Sequence, residues 1–114
     1  METDTQPLWA VTPEKIAEAV RRIVEAANPV RVILFGSRAR GDAERDSDVD
    51  IVVVEREVLN RHAEIIRLME ALSGLILPVE ILVISQRDFD YWSNAPGNVY
   101  RAVKREGKAL YEAA

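Results

Sequence analysis

Cysteine is absent from this sequence. Disulfides, thiolate nucleophiles and cysteine-ligated zinc are therefore excluded. Histidine occurs once, as His62, so a poly-histidine metal site is ruled out and a histidine-based triad has a single candidate. No basic excess exists either: the formal net charge is -4. Broad, sequence-independent nucleic-acid binding needs a basic face that displaces counterions, and it is not expected here. No apolar run approaches the roughly 20 residues needed to cross a bilayer. Met1 to Leu8 is acidic rather than apolar and does not read as a signal peptide. An intracellular, cytoplasmic protein is the expectation. Any chemistry must rest on carboxylates, hydroxyls, Lys and Arg, with or without metal ions.

With 114 residues, 48% of them hydrophobic and 30% charged, the chain reads as one soluble domain spanning 1–114 with one core. Thr12-Pro13-Glu14 has the order N-cap, proline, acidic first turn. Ile16, Ala19, Val20, Ile23, Val24 and Ala27 follow at helical spacing, and Asn28-Pro29 ends the helix. Val30 to Phe35 reads as a strand, Gly36 to Ser47 as a turn-bearing stretch, and Asp48 to Val54 as a second strand. A helix is expected over Val58 to Leu72, with Val58, Ile65, Ile66, Met69 and Leu72 on its apolar side and His62 on or near it. Pro78 to Ile84 reads as a third strand. Ser85 and Asp88 resemble a capping box for another helix. Asn94 to Gly97 breaks the chain, and a last short helix runs from Val99 until Gly107 ends it. This alternation predicts an α/β (α+β) domain, a small sheet covered by helices. Trp9, Phe89, Tyr91 and Trp92 read as packing residues, or equally as cover for a partner's surface.

Gly36 and Ser37 follow a strand directly, with Arg38 and Arg40 beyond them. A strand end that runs into a helical turn offers leading N–H groups, a hydroxyl and fixed positive charge, and so can cradle phosphates. A plain turn with a serine cap is the simpler alternative. Gly36 to Gly41 also fits the start of a P-loop, but Asp42 and Ala43 occupy the positions that require Lys and Ser/Thr. A P-loop NTPase is excluded, and no Gly-x-Gly-x-x-Gly exists for a dinucleotide.

Asp48 and Asp50 flank Val49 at the head of a strand, and side chains two apart share a face. Their Cα atoms lie roughly 6–7 Å apart. Charges ~5 Å apart repel by about 3 kcal/mol at an effective dielectric near 20, which a cation would relieve. Mg²⁺ favours such hard oxygen ligands. The alternative places both aspartates in solvent beside the strand start. Glu80 interrupts the apolar third strand. Either it faces solvent, or the third strand neighbours the second and Glu80 reaches the same metals. Three carboxylates around two ions about 3.5–4 Å apart form a two-metal phosphoryl-transfer site.

Gly36-Ser37, ten intervening positions and Asp48-Val49-Asp50 resemble the Gly-Ser-x10-Asp-x-Asp signature of the DNA polymerase beta-like nucleotidyltransferase superfamily. The stretch GSRARGDAERDSDVDIVVV is similar to its minimal (MNT) branch, and the likeness continues through PVEILVIS and REGKALYE. The resemblance implies a mixed sheet flanked by helices. It makes Ser37 the serine that contacts the triphosphate and Asp48 and Asp50 the paired metal ligands. Glu80 would stand where the family usually has a third aspartate, a departure of one methylene. The activity implied is transfer of a nucleoside monophosphate, AMP from ATP, to an acceptor hydroxyl, with two Mg²⁺ ions. Relatives of the MNT branch often pair with a helical HEPN protein as antitoxins, and some adenylylate a tyrosine of that toxin. The resemblance thus implies a HEPN-family partner in a hetero-oligomer. The alternatives are a binding-only antitoxin or transfer to a small-molecule acceptor.

Overall fold

The computed structural model describes residues 8–43 and 47–114. The acidic N-terminal stretch up to Pro7, and Glu44 to Asp46 within the turn-bearing stretch, lie outside the described residues. The first helix, α1 (Pro13–Ala27), starts as its sequence dictates, with the Thr12 hydroxyl accepting from Lys15 N–H. It ends at Asn28, whose φ of 45° is the left-handed stop that Asn tolerates. Four strands follow in the order β1 (Arg31–Phe35), β2 (Val49–Glu55), β3 (Val79–Ser85) and β4 (Lys108–Glu112). Between them lie α2 (Ser37–Arg40), α3 (Arg61–Ala71), α4 (Gln86–Trp92) and α5 (Val99–Glu106).

The sheet order is β3-β2-β1-β4. β1 runs antiparallel to β2 and β4, whereas β2 and β3 are parallel. It is the mixed, helix-flanked sheet that was expected. Alternation along the strands sorts the core into two layers. Val32, Leu34, Ile51, Val53, Ile81 and Val83 meet Ala19 and Ile23 of α1 and Leu68 and Leu72 at α3. Ile33, Val52, Val54 and Ile84 meet Phe89 of α4 and Val103 of α5 on the opposite face. The even-numbered set of β2 therefore lies under α4 and α5, and Asp50 belongs to that set.

Four local expectations are corrected. α3 begins at Arg61, because the Asn60 side chain caps it by accepting from Ala63 N–H; Val58 and Leu59 precede the cap, and Leu59 is fully exposed. The buried side of α3 carries Leu68 and then Leu72, while Ile66, Met69 and His62 are exposed. β4 was not expected at all. It packs Leu110 and Tyr111 against the α1 layer, and its pairing with β1 shifts register at Leu110, the extra residue of a bulge. Of the aromatics, Phe89 is buried, but Trp9, Tyr91 and Trp92 are exposed.

Candidate active site

The site is built where β1 ends and β2 and β3 begin. In the antiparallel pair Phe35 lies opposite Asp50, and in the parallel pair Asp50 lies beside Glu80. Neighbouring strands are about 4.8 Å apart, so Asp50 and Glu80 share one face of the sheet at one end. Asp48, two residues before Asp50, is exposed, as is Glu80, while Asp50 is partly buried. The structure thus places Asp48 and Glu80 on either side of Asp50 at one end of the sheet, near enough for their charges to bear on it.

Gly36 explains why Asp50 can sit there. A Cβ on Gly36 would stand 2.5 Å from Asp50 Oδ2, so any side chain there would force the Asp50 carboxylate out of its present position. Its φ of 75° with ψ of -155° is also a backbone conformation for which glycine is favoured. Glycine is therefore favoured twice, by its backbone conformation and by the place it leaves for the Asp50 carboxylate. Gly36 is itself the N-cap of α2, and its carbonyl accepts from Ala39 and Arg40 N–H. Ser37 is therefore not the cap. It is the first helical residue, and its N–H precedes the hydrogen-bonded ladder. The capping alternative for its hydroxyl is excluded by position.

Electrostatics join the pieces. Burial first, then the charges of Glu80 and Asp48, push the Asp50 carboxyl above the ordinary aspartate range, and Arg40 pulls it back. Arg40 also pairs with Asp42 at 3.4 Å and with Glu106 of α5 at 3.9 Å. Arg38 has a different task. Its Nε and Nη2 both donate to the Ser47 carbonyl, at 3.1 and 2.7 Å, so it ties α2 to the residue that leads into Asp48. The charge of Arg40 bears directly on the Asp50 carboxylate.

Carboxylate oxygens, with Asp50 raised first by burial and then by its two acidic neighbours, are the kind of donor a hard divalent cation takes. The absence of a side chain at Gly36 lets the Asp50 carboxylate lie directly against the backbone that opens α2. Among the described residues no three acidic or histidine side chains stand within reach of a single ion as placed. A shared ion thus requires the exposed Asp48 and Glu80 side chains to turn inward beside Asp50. An apolar groove of about 640 Å³ lies elsewhere, between α1 and β4, among Ile16, Val20, Leu34 and Leu110; it offers no acidic group and takes no part in this chemistry.

Two features escaped the sequence reading. Glu106 belongs to the last helix and meets Arg40 only through the fold. Glu55, at the far end of β2, is buried to 8% exposure, and only its place at the end of a Val run signalled anything.

A family model described as a nucleotidyltransferase domain matches residues 13–109. No curated protein matches the chain. Among solved structures, a candidate nucleotidyltransferase from Sulfolobus solfataricus aligns with a TM-score of 0.63 at 22% identity, over 87% of this chain and 78% of that one. A toxin–antitoxin with AMP-PNP aligns with a TM-score of 0.62 at 22% identity, over 90% and 75%. A mutant of the toxin–antitoxin MntA-HpeT aligns with a TM-score of 0.57 at 22% identity, over 90% and 75%. At such identity these structures share the fold with this chain. Among the described residues no helix is long and apolar enough to cross a membrane.

Proposed function

Because the chain belongs to the nucleotidyltransferase domain family, we propose that it transfers AMP from ATP to a hydroxyl of a partner protein, as the antitoxin of a pair whose toxin is a HEPN-type helical protein. The observation that carries this reading is the pairing of Asp50 with Glu80 across β2 and β3, with the Asp50 carboxylate set against the side-chain-free Gly36. Asp48, Asp50 and Glu80 are the residues that would hold two Mg²⁺ ions. Metal held there would supply neutralising charge for the triphosphate and the attacking oxygen.

The chain's own groups do the rest. Ser37 presents its N–H and hydroxyl to the triphosphate beside Gly36, and Arg40 supplies positive charge. Arg38 fixes the lead into β2, so that Asp48 and Asp50 stay in place. The acceptor oxygen forms a bond to the α-phosphorus, the bond between that phosphorus and the bridging oxygen breaks, and pyrophosphate leaves. The acceptor proton passes to the carboxylate of Glu80 or Asp50. Catalysis here is mainly positioning and charge neutralisation. The solved toxin–antitoxin structures of similar fold, one with AMP-PNP, support both the nucleotide and the partner.

Labelled ATP, Mg²⁺ and the protein encoded by the neighbouring gene test this directly. Label on a hydroxyl of the partner is expected, and its persistence after joint Asp48→Ala and Asp50→Ala substitution would overturn the reading. A second reading, neutralisation by binding alone, is favoured by Glu80 in place of the usual aspartate and by the exposed Trp9, Tyr91 and Trp92. Protection from the toxin that survives the double substitution would select it. Transfer to a small-molecule acceptor predicts label on that molecule and none on protein.

A further inference from the structure

The end of β2 remote from Asp50 carries a second acidic feature, roughly 16 Å away by strand rise. Glu55 is buried there, opposite Ser85 of β3. Its Oε2 is enclosed and, with the Glu55 and Glu64 carboxyls both ionised, has no hydrogen-bond partner. Leaving a buried polar atom unpaired costs about 1–3 kcal/mol, which calls for an explanation beyond packing. Glu55 lines a cavity of about 240 Å³ together with Glu57, Leu59, Asn60, Glu64 and Arg67.

We propose that this cavity is a binding pocket for a monovalent organic cation, a primary alkylammonium group, held by the Glu55 and Glu64 carboxyls. The charges around it settle the valence. Arg67 donates to both Glu64 oxygens, at 2.9 and 2.7 Å, and to the Ala26 carbonyl at 2.8 Å, so Glu64 is already neutralised. Burial first, then the hydrogen bond and charge of Glu64, raise the Glu55 carboxyl to about 8, against the pull of Arg67. At neutral pH a proton therefore occupies the place of one positive charge between two carboxyls. An ammonium replaces that proton one for one and supplies the donor that Oε2 lacks.

A divalent ion fits less well. It would add a charge the pocket does not balance, and among the described residues no three acidic side chains approach one point. The volume, several times that of a water at about 30 Å³, also exceeds the need of a bare ion. Leu59, fully exposed at the rim, and Ala63 offer apolar contact to a short alkyl stem. The groups facing Glu55 are Glu57 beyond β2 and Glu64 and Arg67 of α3.

Calorimetric titration of the whole chain with n-butylammonium, with n-butanol as the uncharged control, tests the pocket. Saturable binding of the amine alone is expected. Repeating it in buffers of different ionisation enthalpy should show release of about one proton at neutral pH. Affinity should fall about tenfold for each pH unit below about 8. Glu55→Gln copies the protonated carboxyl, so it should keep the fold and lose both binding and proton release; Glu64→Gln serves as the second variant. Absence of binding, binding without proton release, or binding unchanged in Glu55→Gln overturns the proposal, as does Glu55-dependent binding of Mg²⁺ in place of the amine. A blocked lysine peptide that binds more tightly than butylammonium assigns the cation to a protein side chain. Equal or weaker binding by the peptide assigns it to a free amine.

Discussion

Strand β2 carries acid at both of its ends, and the two ends treat it oppositely. At the start, Asp48 is exposed and Asp50 only partly buried, and Gly36 has given up its side chain so that the Asp50 carboxylate has room. At the finish, Glu55 is covered by α3, and, with its carboxyl and that of Glu64 both ionised, one of its oxygens is left without a partner. Both carboxyls have raised proton affinity with burial as the first cause, but the second cause differs. Asp50 feels two further carboxylates around an open space, a condition that a metal relieves. Glu55 feels one carboxyl that already has its arginine, a condition that a proton relieves. One strand therefore shows how cover, rather than residue type, decides what an acidic side chain awaits.

The harshest way to break the comparison is to remove the open end. Replacing Asp48 and Asp50 by Ala should lower transfer of label from ATP by on the order of a thousandfold, since the metal's charge stabilisation is worth several kcal/mol. Thermal stability should hold or rise, because the crowding around Asp50 goes. Gly36→Ala attacks the same end by sterics. The added methyl would press on Asp50 Oδ2 in a backbone conformation that disfavours alanine, costing about 1–3 kcal/mol of stability, read as a lower melting temperature, with loss of transfer beyond what unfolding explains. Glu80→Asp sharpens the comparison instead. Removing one methylene should change the transfer rate by about tenfold, upward if the shorter carboxylate places the acceptor proton better; an unchanged rate would detach Glu80 from the chemistry. The gentlest test titrates the covered end. The folded state holds the Glu55 proton to about 8, against an ordinary glutamate value of 4.5. The native state thus binds more protons than the unfolded chain between those values. Its stability should fall as pH rises from 4.5 towards 8 and level off above. Denaturant melts across that range should show the slope, and Glu55→Gln should flatten it.

Much of the open end was legible in the sequence, because it obeys short-range rules. Period-two alternation put Asp48 and Asp50 on one face, and the placement of Glu80 needed only the adjacency of β2 and β3. The strands of Val and Ile announced themselves for the same reason. Tertiary choices were not legible. Arg38 and Arg40 are two residues apart with equal charge, yet one reaches back to the Ser47 carbonyl and the other lies near Asp50. Val58 looked like the first apolar residue of a helix, but the Asn60 cap decides where the helix begins. Ile66 and Met69 seemed to mark the buried side of α3; the packing selected Leu68. Glu55, charged and at a strand terminus, read as the chain leaving the sheet, and only the position of α3 over it shows otherwise. β4 was invisible because Lys108 and Glu112 at its ends disguise a short edge strand.

That edge strand has a consequence for how the molecule behaves at high concentration. Bare sheet edges are templates on which other chains polymerise. β4 interrupts its own ladder at Leu110 and turns Leu110 and Tyr111 together towards α1, while a lysine stands at one end and a glutamate at the other. A neighbouring strand that tried to pair there would meet broken register and charge rather than a regular row of donors and acceptors. The same bulge that joins α1 to the sheet thus acts as a guard against fibrous self-association, and shortening β4 by the one extra residue would remove it.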